Sequence, residues 1–115
     1  MKMKRSINIL GTNYRLVVDG KSLEPDTDGL CGYYNKQITI RGVNDIFDKD
    51  TTVEEKKLRF NEIMRHEIVH AYLYESGLAE SSFSVNNWAT NEEMVDWIAR
   101  QFPKMKRTME ALNCL

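Results

Sequence analysis

Cysteine, proline and histidine each occur only twice in the 115 residues, and glycine six times. No uninterrupted apolar run approaches the roughly 18 residues of a membrane span. Lys2, Lys4 and Arg5 precede Ile7, Ile9 and Leu10, but Asn8, Gly11, Thr12, Asn13 and Arg15 break up any signal-peptide-like segment. Two distant cysteines, Cys31 and Cys114, make no disulfide framework and read as free thiols of a reducing compartment. Neither sign of charge dominates, since 16 Lys and Arg stand against 17 Asp and Glu. That balance supplies no basic field for neutralising phosphates. The small clusters Lys2, Lys4, Arg5 and Lys104, Lys106, Arg107 read as solvated ends. The expectation is a cytoplasmic chain with no nucleic-acid or membrane partner.

There is no internal repeat, low-complexity tract or Ser/Gly/Pro-rich linker, so residues 1–115 read as a single domain. A chain of this length buries somewhat over 60% of its unfolded surface. It forms a core without staples, and a metal would then serve function rather than folding. Between about residues 6 and 43 the sequence alternates and carries turn residues. Ile7, Ile9, Tyr14, Leu16 and Val18 read as a strand or bulged pair, followed by Asp19-Gly20 as a hairpin-type turn. Pro25, Asp26, Asp28 and Gly29 make a loop, and residues 33–40 read as a further strand or hairpin closed by Gly42. This region is expected to form a small, mostly antiparallel sheet. Beyond it the pattern is helical. Thr51 and Thr52 each have a Glu three positions on, predicting a helix over about 53–75 that stops at Gly77. Thr90 with Glu93 predicts a second helix over about 91–101, broken or restarted at Pro103. Met105, Met109 and Leu112 then read as core-facing positions of a short last helix.

Both histidines fall in His66-Glu67-Ile68-Val69-His70, an HExxH pattern inside the long predicted helix. Chance places two histidines four apart, with Glu after the first, in roughly 0.15% of arrangements. Residues four apart on a helix project from one face, so two imidazoles can reach one metal ion from a rigid support. Glu67 lies about 100° round from His66, beside the ligands, where its carboxylate can take a proton from metal-bound water. On the same wheel Ile63, Phe60, Ala71, Met64, Ile68 and Tyr72 form a wide buried arc with the motif at its border.

Catalytic zinc takes three protein ligands and leaves one position for water. With no third histidine, the remaining ligand is a carboxylate, and Glu75, Glu80, Glu92, Glu93 and Asp96 are the candidates. Glu75 points away from the two histidines along its own helix. Glu92 flanks the apolar arc of the second helix, whereas Glu93 points nearer to solvent beside Arg100, so Glu92 is chosen. Asp96, one turn on from Glu92, is placed to accept the free N–H of a ligand histidine.

The HExxH segment, followed after 21 intervening residues by Glu92-Glu93-Met94-Val95-Asp96, resembles the HExxH plus ExxxD arrangement of gluzincin metallopeptidases. By its short sheet and closely following Glu helix the chain is similar to the minimal ImmA/IrrE-type zinc peptidases common in phages and other mobile elements. That family often has Asn where Asp96 stands, and often carries an additional DNA-binding or sensor domain. The resemblance implies an α+β, zincin-like fold, with the sheet packed on the HExxH helix and a ligand-bearing helix. It implies one Zn2+ held by His66, His70 and Glu92, Glu67 as general base, and Asp96 behind a ligand histidine.

The function expected is zinc-dependent hydrolysis of a protein or peptide substrate by a monomer. Tyr74, one turn beyond His70, is a candidate for stabilising the oxyanion, as are Tyr33 and Tyr34. The strand over 33–40 offers a sheet edge for an extended peptide. The Ser- and Asn-rich stretch from Ser81 to Asn87, with Phe83 and Trp88, offers a cleft wall. Two other readings are a non-catalytic, zinc-stabilised protein-binding module, with Cys31 or Cys114 as a fourth ligand, and a metallohydrolase acting on a non-peptide substrate.

Overall fold

The computed structural model describes residues 3–46, 51–81 and 88–115. Alternating apolar residues build a hairpin from β1 (Met3–Ile9) and β2 (Thr12–Val18), with Ile7 opposite Tyr14 and Ile9 opposite Thr12. The turn lies at Leu10-Gly11, not at Asp19-Gly20. Both turn residues take positive φ, 51° and 92°, as tight hairpin turns demand, and the Asn8 side chain accepts the Gly11 N–H at 2.9 Å. Gly20 instead opens a single 3-10 turn, Gly20–Ser22.

Of the expected strand over 33–40 only β4 (Gln37–Ile40) is strand; residues 33–36 form a turn, and the strand before it, β3 (Gly29–Gly32), starts at the expected loop residue Gly29. The sheet order is β1-β2-β4-β3. β4 runs parallel to β2 and antiparallel to β3, so the sheet is mixed, with β1–β2 and β3–β4 its antiparallel pairings. β4 is therefore interior and offers no edge. Ile38, Thr39 and Ile40 are all buried, as a strand flanked on both sides requires. The edge nearest the helices belongs to β3.

The helix α1 (Val53–Glu75) has the expected bounds. Its Thr52 cap is reciprocal: Glu55 N–H donates to Thr52 Oγ1 at 3.1 Å, and Thr52 N–H to the Glu55 carboxylate at 3.3 Å. Gly77 ends it with φ 86°. Ile63 and Ala71 seal α1 onto Ile9, Tyr14, Leu16, Ile38 and Ile40 of the sheet. The buried arc of α1 is narrower than the wheel suggests, because Tyr72 is exposed beside a groove between the helices. After the short α2 (Leu78–Ser81) and a 3-10 turn at Trp88–Thr90, α3 (Glu92–Ala111) packs along α1. Its cap is Asn91, whose side chain accepts the Met94 N–H at 2.9 Å.

Two expectations for this last region fail. α3 passes through Pro103 without a break. Pro103 cannot donate to the carbonyl of Ala99, four residues back, and Arg65 Nε of α1 donates to that oxygen instead, at 2.6 Å. Nor are the last turns core. Met109 and Leu112 are exposed, because burial along α3 stops near Ala99, where α1 ceases to cover it. No described helix is long and apolar enough to cross a membrane.

Candidate metal centre

The two imidazoles converge. His66 Nε2 and His70 Nε2 lie 3.2 Å apart with their rings steeply inclined. α3 brings the third group: the Glu92 oxygens lie 2.8 Å from His66 Nε2 and 3.1 Å from His70 Nε2. Asp96, one turn further along α3, meets the other nitrogen of His66, with Oδ1 2.7 Å from Nδ1. The sequence-chosen residues His66, His70, Glu92 and Asp96 thus come together from two helices.

The protons explain why this arrangement suits a cation. With Asp96 accepting from Nδ1–H, a neutral His66 presents a lone pair at Nε2, facing the carboxylate of Glu92 and the Nε2 of His70. Burial, the largest influence, lowers the His70 pKa and favours the neutral ring, the form that ligates metals. Ligand atoms bound to one tetrahedral zinc at about 2.0–2.1 Å stand roughly 3.3 Å from one another. The observed 2.8–3.2 Å separations are close to that spacing. Donor atoms of His66, Glu67 and His70 all lie within 4.8 Å of one another, close enough to hold a metal ion together. No cysteine joins this group among the described residues. Cys31 is half-buried on β3 opposite Ile38, with burial pushing its thiol up to about 12, and Cys114 is exposed.

Glu67 is 7% exposed. Burial is the main reason its carboxyl is pushed up to about 7; the His66 ring opposes this, while the Glu92 and Asp96 carboxylates add to it. No described residue donates a hydrogen bond to it. It lines a cleft of about 260 Å³ with His66, Asp96, Gly29 and Ile63, and a further wall of the cleft is made by Asp26, Asp28, Arg59 and Glu62. Arg41 holds that wall by bonding Asp28 Oδ1 and the carbonyls of Glu24 and Thr27.

The other carboxylate candidates lie elsewhere. Glu75 accepts from Tyr14 Oη and Lys36 Nζ, each at 2.8 Å, and Lys36, with Thr12 and Tyr14, holds its carboxyl down to about 2. Glu93 lies on the exposed face of α3. The stretch 82–87 with Phe83, and the side chains of Glu80 and Trp88, lie outside the described residues. Tyr74 is stacked face to face on Tyr33, ring centres 4.2 Å apart, with the Lys36 ammonium 4.8 Å from the Tyr74 centre. Tyr33 lies immediately after β3; burial first, and then the charges of Cys31, Glu92 and Glu67, raise its pKa. Tyr34 is fully exposed. Sequence reasoning listed Tyr33 without distinguishing it from Tyr34 and Tyr74. The stack, a contact between a turn and a helix 41 positions apart, sets Tyr33 and Tyr74 apart from the exposed Tyr34. Comparison of the chain with protein-family models, with curated proteins and with solved structures returns no match.

Proposed function

We propose that the chain is a zinc-dependent metallopeptidase of minimal gluzincin type, similar to the ImmA/IrrE peptidases, with His66, His70 and Glu92 holding the ion. One observation carries the reading: two imidazole Nε2 atoms and both oxygens of one carboxylate converge within 2.8–3.2 Å, with His66 Nδ1 turned away toward Asp96. Such a set of facing acceptors is repulsive unless a cation or proton lies among them. A zinc ion bound there supplies Lewis-acid polarisation of a carbonyl and acidification of a water.

The remaining chemistry belongs to the side chains. Glu67, beside the imidazoles and in contact with the cleft, takes the proton of the attacking water and returns it to the departing amine. Asp96 keeps His66 in the Nδ1–H form. The Tyr33 hydroxyl, braced by Tyr74 and Lys36, donates to the developing oxyanion. An extended peptide pairs with β3, the edge strand that leads from the cleft at Gly29 to Tyr33. The catalytic reading is favoured over a zinc-stabilised binding module because the described donor group includes no cysteine that would close the fourth position.

The test is Glu67→Gln. The variant should retain about one zinc per chain and lose hydrolysis of a cleaved peptide by roughly 10²- to 10⁴-fold. A metal-loaded Glu67→Gln as active as the parent overturns the mechanism.

A further inference from the structure

Glu67 occupies an unusual position for a buried carboxylate, since no described residue donates a hydrogen bond to it. What surrounds it is contact. A Cβ built on Gly29, the first residue of β3, would lie 2.9 Å from Glu67 Oε2, 3.1 Å from Glu67 Cγ and 2.9 Å from Ile63 Cγ2. Contacts under 3.0 Å are closer than a methyl group tolerates, so an alanine there displaces the carboxylate, Ile63 or the strand. The backbone conformation makes no such demand. Gly11 and Gly77 have positive φ and open space around them, whereas Gly29 is crowded without a positive φ.

We infer that Gly29 is a positioning residue for Glu67: the bare Cα at the head of the edge strand is the surface against which the carboxylate lies, aimed beside the two histidines. The inference rests on the peptidase reading for its consequence but not for its geometry. Ile63 and Glu67 are equally buried, but Ile63 packs in the core cluster between α1 and the sheet, so the carboxylate is the group that yields. Swinging moves it away from β3, along the cleft it shares with Gly29 and His66. The ligands are spared. His66 and His70 project from the same helix, and Glu92 and Asp96 come from α3, and none of them supplies any of the three atoms nearest the added carbon. A misplaced base with an intact metal site is the predicted lesion.

The experiment compares Gly29→Ala with Gly42→Ala, a change outside the strand and the cleft whose added carbon meets only Asp45 Oδ2, at 3.3 Å. Three readouts are taken on the full chain: zinc affinity by competition, kcat and KM on a cleaved peptide, and the side-chain carboxyl 13C resonance of Glu67. Gly29→Ala should keep zinc affinity and KM within about twofold, lose roughly 10- to 100-fold in kcat, and shift the Glu67 resonance. Gly42→Ala should leave all three unchanged. Should Gly29→Ala fold poorly, Gly29→Ala/Ile63→Ala removes the apolar clash and leaves the one with Glu67, so kcat stays low if the inference holds and recovers if the loss was only misfit in the core. A Gly29→Ala protein with parental kcat and an unmoved Glu67 resonance overturns the inference. Failure of the unsubstituted protein to cleave any peptide counts against the peptidase reading, while the Glu67 resonance still decides the placement.

Discussion

Arg65 donates from Nε to the carbonyl oxygen of Ala99 at 2.6 Å, the backbone acceptor that Pro103 leaves without its helical donor. A side chain of α1 thus repairs a gap in α3, one residue before His66. Arg65→Met should cost about 1–3 kcal/mol, the penalty of an unsatisfied buried acceptor. In a Pro103→Ala background, where a backbone N–H returns to Ala99, the same substitution should cost clearly less. Urea unfolding of the four proteins measures this coupling, and equal costs in both backgrounds would refute the repair.

Asp96 is expected to act through His66, whose Nδ1 it meets at 2.7 Å. Asp96→Ala should weaken zinc binding by roughly 10- to 100-fold, with Asp96→Asn falling between it and the parent because an amide oxygen still accepts from Nδ1–H. Competition against a chelator of known affinity reads both variants. Unchanged affinity in Asp96→Ala would remove Asp96 from the site.

Tyr33 and Tyr74 should separate cleanly, although their rings are stacked 4.2 Å apart. Tyr33→Phe keeps the stack and removes the proposed donor, so kcat should drop by roughly 10²- to 10³-fold with KM little changed. Tyr74→Phe also keeps the stack and should be close to neutral. Steady-state kinetics giving the opposite ranking would assign the oxyanion donor to Tyr74.

Glu75 makes acid sensitivity specific. Hydrogen bonds from Lys36, Thr12 and Tyr14 depress its carboxyl from the usual 4.5 to about 2 in the folded chain. A depressed carboxylate stabilises the fold above its unfolded value, and that contribution is lost as pH falls from about 4.5 toward 2. Glu75→Gln should therefore be less stable at pH 7 and lose less further stability between pH 5 and 2. Denaturant midpoints across that range are the measurement, and parallel pH profiles for the two proteins would exclude the linkage.

The metal-site helix was readable because its signals are local. Thr52 and Glu55 cap it, Gly77 ends it, and His66, Glu67 and His70 lie within five residues. Glu92 and Asp96 could be placed because wheel angle decides which side of α3 faces α1. Elsewhere the outcome depended on distant partners. Residues 37–40 became an interior strand because β2 and β3 both pair with them, which alternation along one segment does not report. Pro103 was read as a break because its remedy, Arg65, lies 38 positions earlier. Met109 and Leu112 have a core-facing spacing, yet α1 does not reach them. Gly29 looked like a loop residue, and its closeness to Glu67 follows only from the strand packing on α1.

The account stands on Glu92 joining His66 and His70 around one ion, at donor separations of 2.8–3.2 Å. Zinc titration followed by calorimetry, on the parent, Glu92→Ala and Glu93→Ala, tests this directly. The predicted result is one zinc per chain in the parent and in Glu93→Ala, with affinity lost in Glu92→Ala; zinc retained at parental affinity by Glu92→Ala, or absent from the parent, would contradict it.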